Sequence, residues 1–296
     1  MKLAPKNIPG AALAFSVVMW GLTPVGTKYA LQYVSLSTLL FARFTVTFVA
    51  SAIALLFLQG RTGTLSLWDY AKISLLSLIG VTGYQFFITS ALDRLAANVG
   101  GVVLGLEPVL IQTLTYIVAK DRQRLRLRLV PLALGLAGVA FISLTPSHSG
   151  SVNALGVLLA FIAALSWSIF VAASHHTIEK VGYERFSLLS TAVGSLAIAS
   201  VVGLTEPHLN VLIELHTLQA AATILALALL ATVAAMMMWN YAANKVSIQI
   251  QGVTLYAIPL ISALGGATLL GERISTHLIL GGAAVMLSIY LTLRSS

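Results

Sequence analysis

The chain has 296 residues, 58% of them hydrophobic and only 9% Asp, Glu, Lys or Arg, with a formal net charge of +8 and no cysteine. A soluble domain carries about 25% charged residues, so this chain lacks the charge to cover a water-facing surface. Disulfides and thiolate metal sites are excluded, and basic residues this sparse, set between apolar runs, fit topology control better than nucleic-acid binding.

Spanning a bilayer core takes about 20 apolar residues in a helix. Runs of that kind fall at 9–31, 36–59, 70–92, 96–119, 128–145, 152–176, 185–204, 217–243, 247–269 and 275–294. Lys2 and Lys6 ahead of the first run imitate a signal peptide, but that run is too long for an h-region and reads as the first span. Connections near Gln32–Ser35, Asp93–Leu95 and Asn244–Val246 are too short for anything but antiparallel neighbours. The expectation is an all-α membrane protein of ten transmembrane helices, with no linker separating independent domains.

With the N-terminus in the cytoplasm, thirteen Lys and Arg residues fall on the inner side and three, Lys28, Arg94 and Arg273, on the outer. The basic run Lys120–Arg128 contributes the largest single share of this positive-inside bias and reads as a topology anchor. Both termini are therefore expected in the cytoplasm, and the membrane is expected to be the inner membrane.

An internal repeat lies beneath these spans. Residues 91–110 and 242–261 align at an offset of 151: Asp93-Arg94 with Asn244-Lys245, Gly101-Val102 with Gly252-Val253, Pro108 with Pro259. Trp20 and Trp167 echo each other in spans one and six. An offset of five spans is odd, so the second copy enters the membrane inverted. Inverted repeats mark secondary transporters, whose site lies near the midplane between the repeats. The expected division is 1–147 and 148–296, five helices each. Pro24, Pro108 and Pro259 are candidate hinges, since proline removes a backbone donor and kinks a helix.

Ionisable groups inside spans are costly and face a cavity or a partner. Glu107 lies about 16 Å from the outer end of span four and Arg43 about 11 Å into span two, at a rise of about 1.5 Å per residue. Glu107 is expected to bind a cationic substrate group or to take up a coupling proton. Arg43 is expected to pair with it, and a static pair fixing two helices is the competing reading. Trp20, Tyr84, Gln85, Trp167, Asn240 and Tyr256 complete the candidate substrate site, because aromatic faces hold apolar or cationic groups and amides orient polar ones. Trp239 is placed by its depth in the interfacial belt, and Met236–Met238 in helix packing. Gly101-x-x-x-Gly105 and Gly265-Gly266 are close-packing faces within one chain.

The stretch Trp20–Pro24, the Arg43-Phe44 pair, Leu106-Glu107-Pro108-Val109, Tyr256–Pro259 and Leu270-Gly271-Glu272-Arg273-Ile274 together resemble EamA-type members of the drug/metabolite transporter superfamily. The resemblance covers essentially the whole chain. In the first half the equivalent of Gly-Glu-Arg is reduced to Ala119-Lys120-Asp121-Arg122. The resemblance implies a five-plus-five inverted fold and a metabolite transporter, frequently an exporter, without fixing the substrate.

The sequence has no phosphate-binding G-x-x-x-x-G-K-[ST] loop, no H-E-x-x-H and no G-x-S-x-G, which argues against an ATP-driven pump subunit and against intramembrane hydrolases of those types. The expectation is a non-enzymatic carrier of amino acids or related metabolites, working by alternating access as a monomer or weak dimer and needing no cofactor. A drug or quaternary-ammonium exporter is the rival within transport. A membrane enzyme or scaffold is the rival outside it.

Overall fold

The computed structural model describes residues 8–58, 65–118, 120–143, 146–147, 150–151, 153–206, 209, 211–215, 217–243, 245, 254–255 and 257–294. Helices dominate because a backbone in hydrocarbon must satisfy its own N–H and C=O groups. Among the described residues, seven helical segments are long and apolar enough to cross a membrane: Ile8–Ala30, Leu36–Leu58, Leu67–Arg94, Ala97–Val118, Ala154–Ser174, Tyr183–Thr205 and Leu218–Trp239. Three shorter apolar helices, Leu129–Phe141, Ala257–Leu269 and Thr276–Leu291, accompany them. A two-residue antiparallel pairing, Pro146–Ser147 with Gly150–Ser151, forms the connection before Asn153.

The elements in chain order are α1 (Ile8–Ala30), α2 (Leu36–Leu58), α3 (Leu67–Ser77), a π-helical segment (Leu78–Gly83), α4 (Tyr84–Arg94), α5 (Ala97–Leu104), α6 (Glu107–Val118) and α7 (Arg122–Ser143). They continue with α8 (Ala154–Val181), α9 (Tyr183–Thr205), α10 (Val211–Glu214), α11 (Leu218–Leu225), a second π-helical segment (Ala226–Ala234), α12 (Ala235–Ala243), α13 (Ala257–Leu269) and α14 (Thr276–Arg294). The basic run placed in a connection by sequence is helical from Arg122 onward. Pro131 lies inside that helix, and its carbonyl accepts the Ser288 hydroxyl at 2.5 Å, tying α7 to α14.

Packing repeats itself between the halves. Helix α2 packs on α9, α7 on α14, and α5 on α13. The contact of α4 with α8 is mirrored by that of α12 with α1, and α6 on α8 is mirrored by α13 on α1. The α5–α13 contact is close because glycine permits it. A Cβ at Gly101 would stand 2.1 Å from Ser262 Oγ, and one at Gly105 would stand 2.9 Å from Pro259 Cγ. The Ser262 hydroxyl in turn donates to Ala97 O at 2.9 Å.

The fourth apolar run is not one helix. It breaks at Gly105-Leu106, and Glu107 starts the new helix with Pro108 in its first turn. There proline's missing N–H costs nothing, because a first-turn donor has no intrahelical partner. At the head of α5 the Glu272 carboxylate accepts from Ala97 N at 2.6 Å and Asn98 N at 2.9 Å. Gly271 makes that possible: its φ of +66° reverses the chain after α13, a conformation suited to glycine. At the same end Lys28 Nζ donates to Leu92 O at 3.0 Å, and Glu214 accepts from Ser35 N at 2.6 Å. The opposite end is tied by Lys180 to Asp69 at 2.6 and 2.8 Å. Asp69 also completes a capping box with Ser66 at the start of α3.

Candidate functional site

A cavity of about 170 Å³ lies where the two halves meet. A cavity of about 150 Å³ accepts a benzene-sized molecule, so the space suits a small metabolite. Helix α1 contributes Trp20 and Pro24, α2 contributes Arg43, and the first π segment with α4 contributes Val81, Tyr84 and Gln85. Glu107 and Pro108 enter from the first turn of α6, just after the break, and Trp167 from α8. The second π segment and α12 supply Thr232, Met236 and Trp239.

Both π segments flank this cavity, one per half. A π turn holds an extra residue and often sits at a functional site. It also leaves polar backbone and hydroxyl groups in new positions. Thr232 Oγ1 donates to Leu227 O at 2.8 Å, five residues back, and Thr82 Oγ1 reaches Gly194 O at 3.0 Å on α9. Ser16 on α1 donates to Ala235 O at 2.8 Å, where the second π segment returns to α geometry.

Arg43 is 1% exposed. Its Nη2 donates to Thr232 Oγ1 at 3.2 Å, and its guanidinium lies 5.1 Å from the Phe44 ring centroid. The direct pair with Glu107 expected from sequence is not formed: among the described residues no ion pair joins the two side chains. Instead Tyr84 stands in the field of both groups, and its hydroxyl approaches the Glu107 carboxyl. Distance from a helix end fixes a residue's height but not the direction it faces, and so equal depth did not make a pair. Arg43 Nε, Glu107 Oε1 and Gln85 Oε1 are buried without a hydrogen-bond partner.

Aromatic rings wall the cavity. Trp20 meets Trp239 with centroids 5.1 Å apart, and Tyr84 meets Trp167 at 5.5 Å. Trp239, assigned to the interfacial belt by its depth, thus turns inward. Met236 likewise lines the cavity, while Met237 and Met238 are exposed, so the Met236–Met238 run splits between two faces.

Of the residues singled out in the sequence, Trp20, Pro24, Arg43, Tyr84, Gln85, Glu107, Pro108 and Trp167 line this single cavity. Pro259 is buried beside it against Gly105. Tyr256 and the Asn240 side chain lie outside the described residues. Sequence reasoning missed Thr23, Thr27, Thr191 and Thr232. Their hydroxyls carry no charge and are common in apolar helices, so nothing marked them out.

A multi-pass helical bundle that encloses a charged cavity between two repeating halves has the architecture of a membrane transporter. The chain belongs to the EamA-like transporter family, whose model matches residues 8–144 and again 154–294. An uncharacterized transporter of Archaeoglobus fulgidus is 25% identical over 95% of this chain and 97% of its own length. An uncharacterized transporter of Bacillus subtilis, YvbV, is 27% identical over 98% and 93%. A protein of Streptantibioticus cattleyicolor described as a probable terminal-alkyne amino-acid exporter is 23% identical over 92% and 89%. A solved crystal structure shares the fold with a TM-score of 0.63, at 19% identity over 95% of this chain and 96% of the other.

Proposed function

We propose that this transporter is a secondary carrier that moves small metabolites, amino acids or related compounds foremost, out across the inner membrane by alternating access. In this reading the seven long and three shorter apolar helices make ten spans, five per repeat, with inverted topology and both termini in the cytoplasm. Lys28, Leu92 and Glu272 then mark the outer end, and Asp69 with Lys180 the cytoplasmic one. The observation that carries the reading is the cavity itself. Both halves line it, and Glu107 and Arg43 bring ionisable groups into a mostly apolar interior. Isolated charge at that depth is costly, and a transported polar group gives it a purpose.

Exchange of the two halves' conformations opens such a cavity to each side in turn. The break at Gly105-Leu106 and the two π segments are places where helices can bend, because their hydrogen-bond ladders are already interrupted there. Glu107 takes the cationic group of the substrate or a coupling proton. Support for amino acids comes from the relative described as a probable amino-acid exporter.

The experiment is counterflow in proteoliposomes loaded with amino acids, organic cations or nucleotide-linked metabolites. Accumulation of a labelled amino acid against the matching internal load is the expected result. Accumulation of organic cations alone replaces it with the drug-exporter reading, and accumulation of none of the three classes overturns transport of small metabolites.

A further inference from the structure

The cavity holds two ionisable side chains that do not pair with each other. A guanidinium carries five N–H donors. Arg43 spends one on Thr232, and its Nε is buried with no acceptor. Opposite in sign, Glu107 keeps Oε1 buried with no donor, and the amide oxygen of Gln85 next to Tyr84 is in the same condition. Among the buried side-chain atoms without a partner in the described residues, the two that belong to charged groups both line this cavity. A static structural pair would bring N and O into contact, and these two groups are farther apart than an ion pair.

Such a gap selects a ligand. A simple cation satisfies Glu107 but leaves Arg43 facing a second positive charge, and a simple anion does the reverse. A zwitterion satisfies both, because its ammonium and carboxylate sit on one carbon and bridge two poles too far apart to touch. The remaining walls are mostly apolar, from Trp20 and Trp239 to Ile88, Leu104 and Ile111, with threonine hydroxyls between them.

We propose that the cavity takes an α-amino acid with an apolar side chain as the zwitterion, its ammonium on Glu107 and the Gln85 amide oxygen, its carboxylate on Arg43. This assignment rests on the transport reading above and adds the role of each pole. Arg43 then sets specificity: a carboxylate bound by a fork of N–H groups is rejected strongly when it is missing.

The test is counterflow with full-length protein in proteoliposomes, using L-leucine and L-phenylalanine, their amines (isoamylamine, 2-phenylethylamine) and their desamino acids (4-methylpentanoate, 3-phenylpropanoate). Wild type is expected to exchange the amino acids at least about 10-fold faster than either analogue class. Arg43→Gln is expected to shrink the preference for phenylalanine over 2-phenylethylamine about 10-fold or more, and Glu107→Gln to do the same against 3-phenylpropanoate. Arg43→Lys restores part of the preference, since it returns the charge without the fork. Trp20, Trp167 and Trp239 line the cavity, so tryptophan-fluorescence titration in detergent with the same six compounds reads occupancy in any variant that fails to transport. A wild type that moves the amines as fast as the amino acids overturns the assignment. So does a pair of variants that weaken amino acid and analogue in equal proportion, and in that case the carrier reading stands. Exchange of none of the six overturns the assignment, and the wider counterflow panel then decides the carrier reading separately.

Discussion

Single atoms set how close these helices come. At Gly80 a Cβ would stand 2.1 Å from Phe170 Cβ, and at Gly101 it would stand 2.3 Å from Ser262 Cβ. Neither neighbour is the tip of a flexible chain, so backbone must shift to admit a methyl group. Overpacking of that kind costs about 1–3 kcal/mol. Gly80→Ala and Gly101→Ala are therefore expected to lower the thermal midpoint of the detergent-solubilised protein, while Gly10→Ala, with open space around its Cβ, leaves it unchanged. Equal midpoints for Gly10→Ala and Gly101→Ala would contradict the packing described. At this scale the sequence was informative about which residues are unusual. Trp20, Arg43, Tyr84, Glu107 and Trp167 are large or charged where helices are otherwise small and apolar, and all five reach one cavity. It was uninformative about direction: the partner of Arg43 is Thr232, a residue with no distinguishing mark, on a turn whose π geometry shifts the helical wheel.

Helix ends carry the next set of consequences. Glu272 caps the first two amides of α5 from across the repeat boundary. Loss of a cap costs about 0.5–2 kcal/mol, so Glu272→Gln is expected to melt several degrees lower than wild type. Retention of the wild-type midpoint would show that the cap contributes nothing.

Glu214 serves α2 in the same way. Partial burial pushes its carboxyl up, but hydrogen bonds from the Ser35 amide and hydroxyl pull it further down, leaving it below the ordinary value of 4.5. A depressed carboxylate adds stability above its unfolded pKa and loses it as pH falls through the folded one. The stability gap between wild type and Glu214→Gln is thus expected to be full at pH 7 and to close below pH 4.5, read from thermal midpoints across that range. A gap that stays constant would contradict the cap. None of these ties was legible beforehand. The segment Leu270–Ile274 stood out as a pattern, but a pattern does not say which helix its carboxylate reaches. The π segments were equally hidden, because Leu78–Gly83 and Ala226–Ala234 have the composition of ordinary apolar helix.

For the whole molecule, hydrophobic runs and the offset between Pro108 and Pro259 carried most of the architecture. Runs of about 20 apolar residues leave few alternatives to spanning helices, and the related fourth and ninth runs do pack on each other, α5 against α13, through Gly101, Gly105 and Pro259. The break at Gly105-Leu106 was foreseeable only as a kink, since proline tells where a helix is weakened but not whether it parts. The ligand was not legible from residue types alone, because a lone carboxylate among aromatics suits a cation as well as a zwitterion. The unpaired state of Arg43, visible only in three dimensions, separates the two.

Alternating access is most directly read from which side of the membrane reaches the cavity. The chain has no cysteine, so a single cysteine at Ile111, on the cavity wall, reports without background. Ile111→Cys in sealed proteoliposomes of known orientation is treated with a membrane-impermeant maleimide from outside or from within. Labelling from both sides, slowed by saturating transported amino acid, is the expected result. Labelling from one side alone, at a rate no amino acid alters, would contradict a carrier whose central cavity opens to each face in turn.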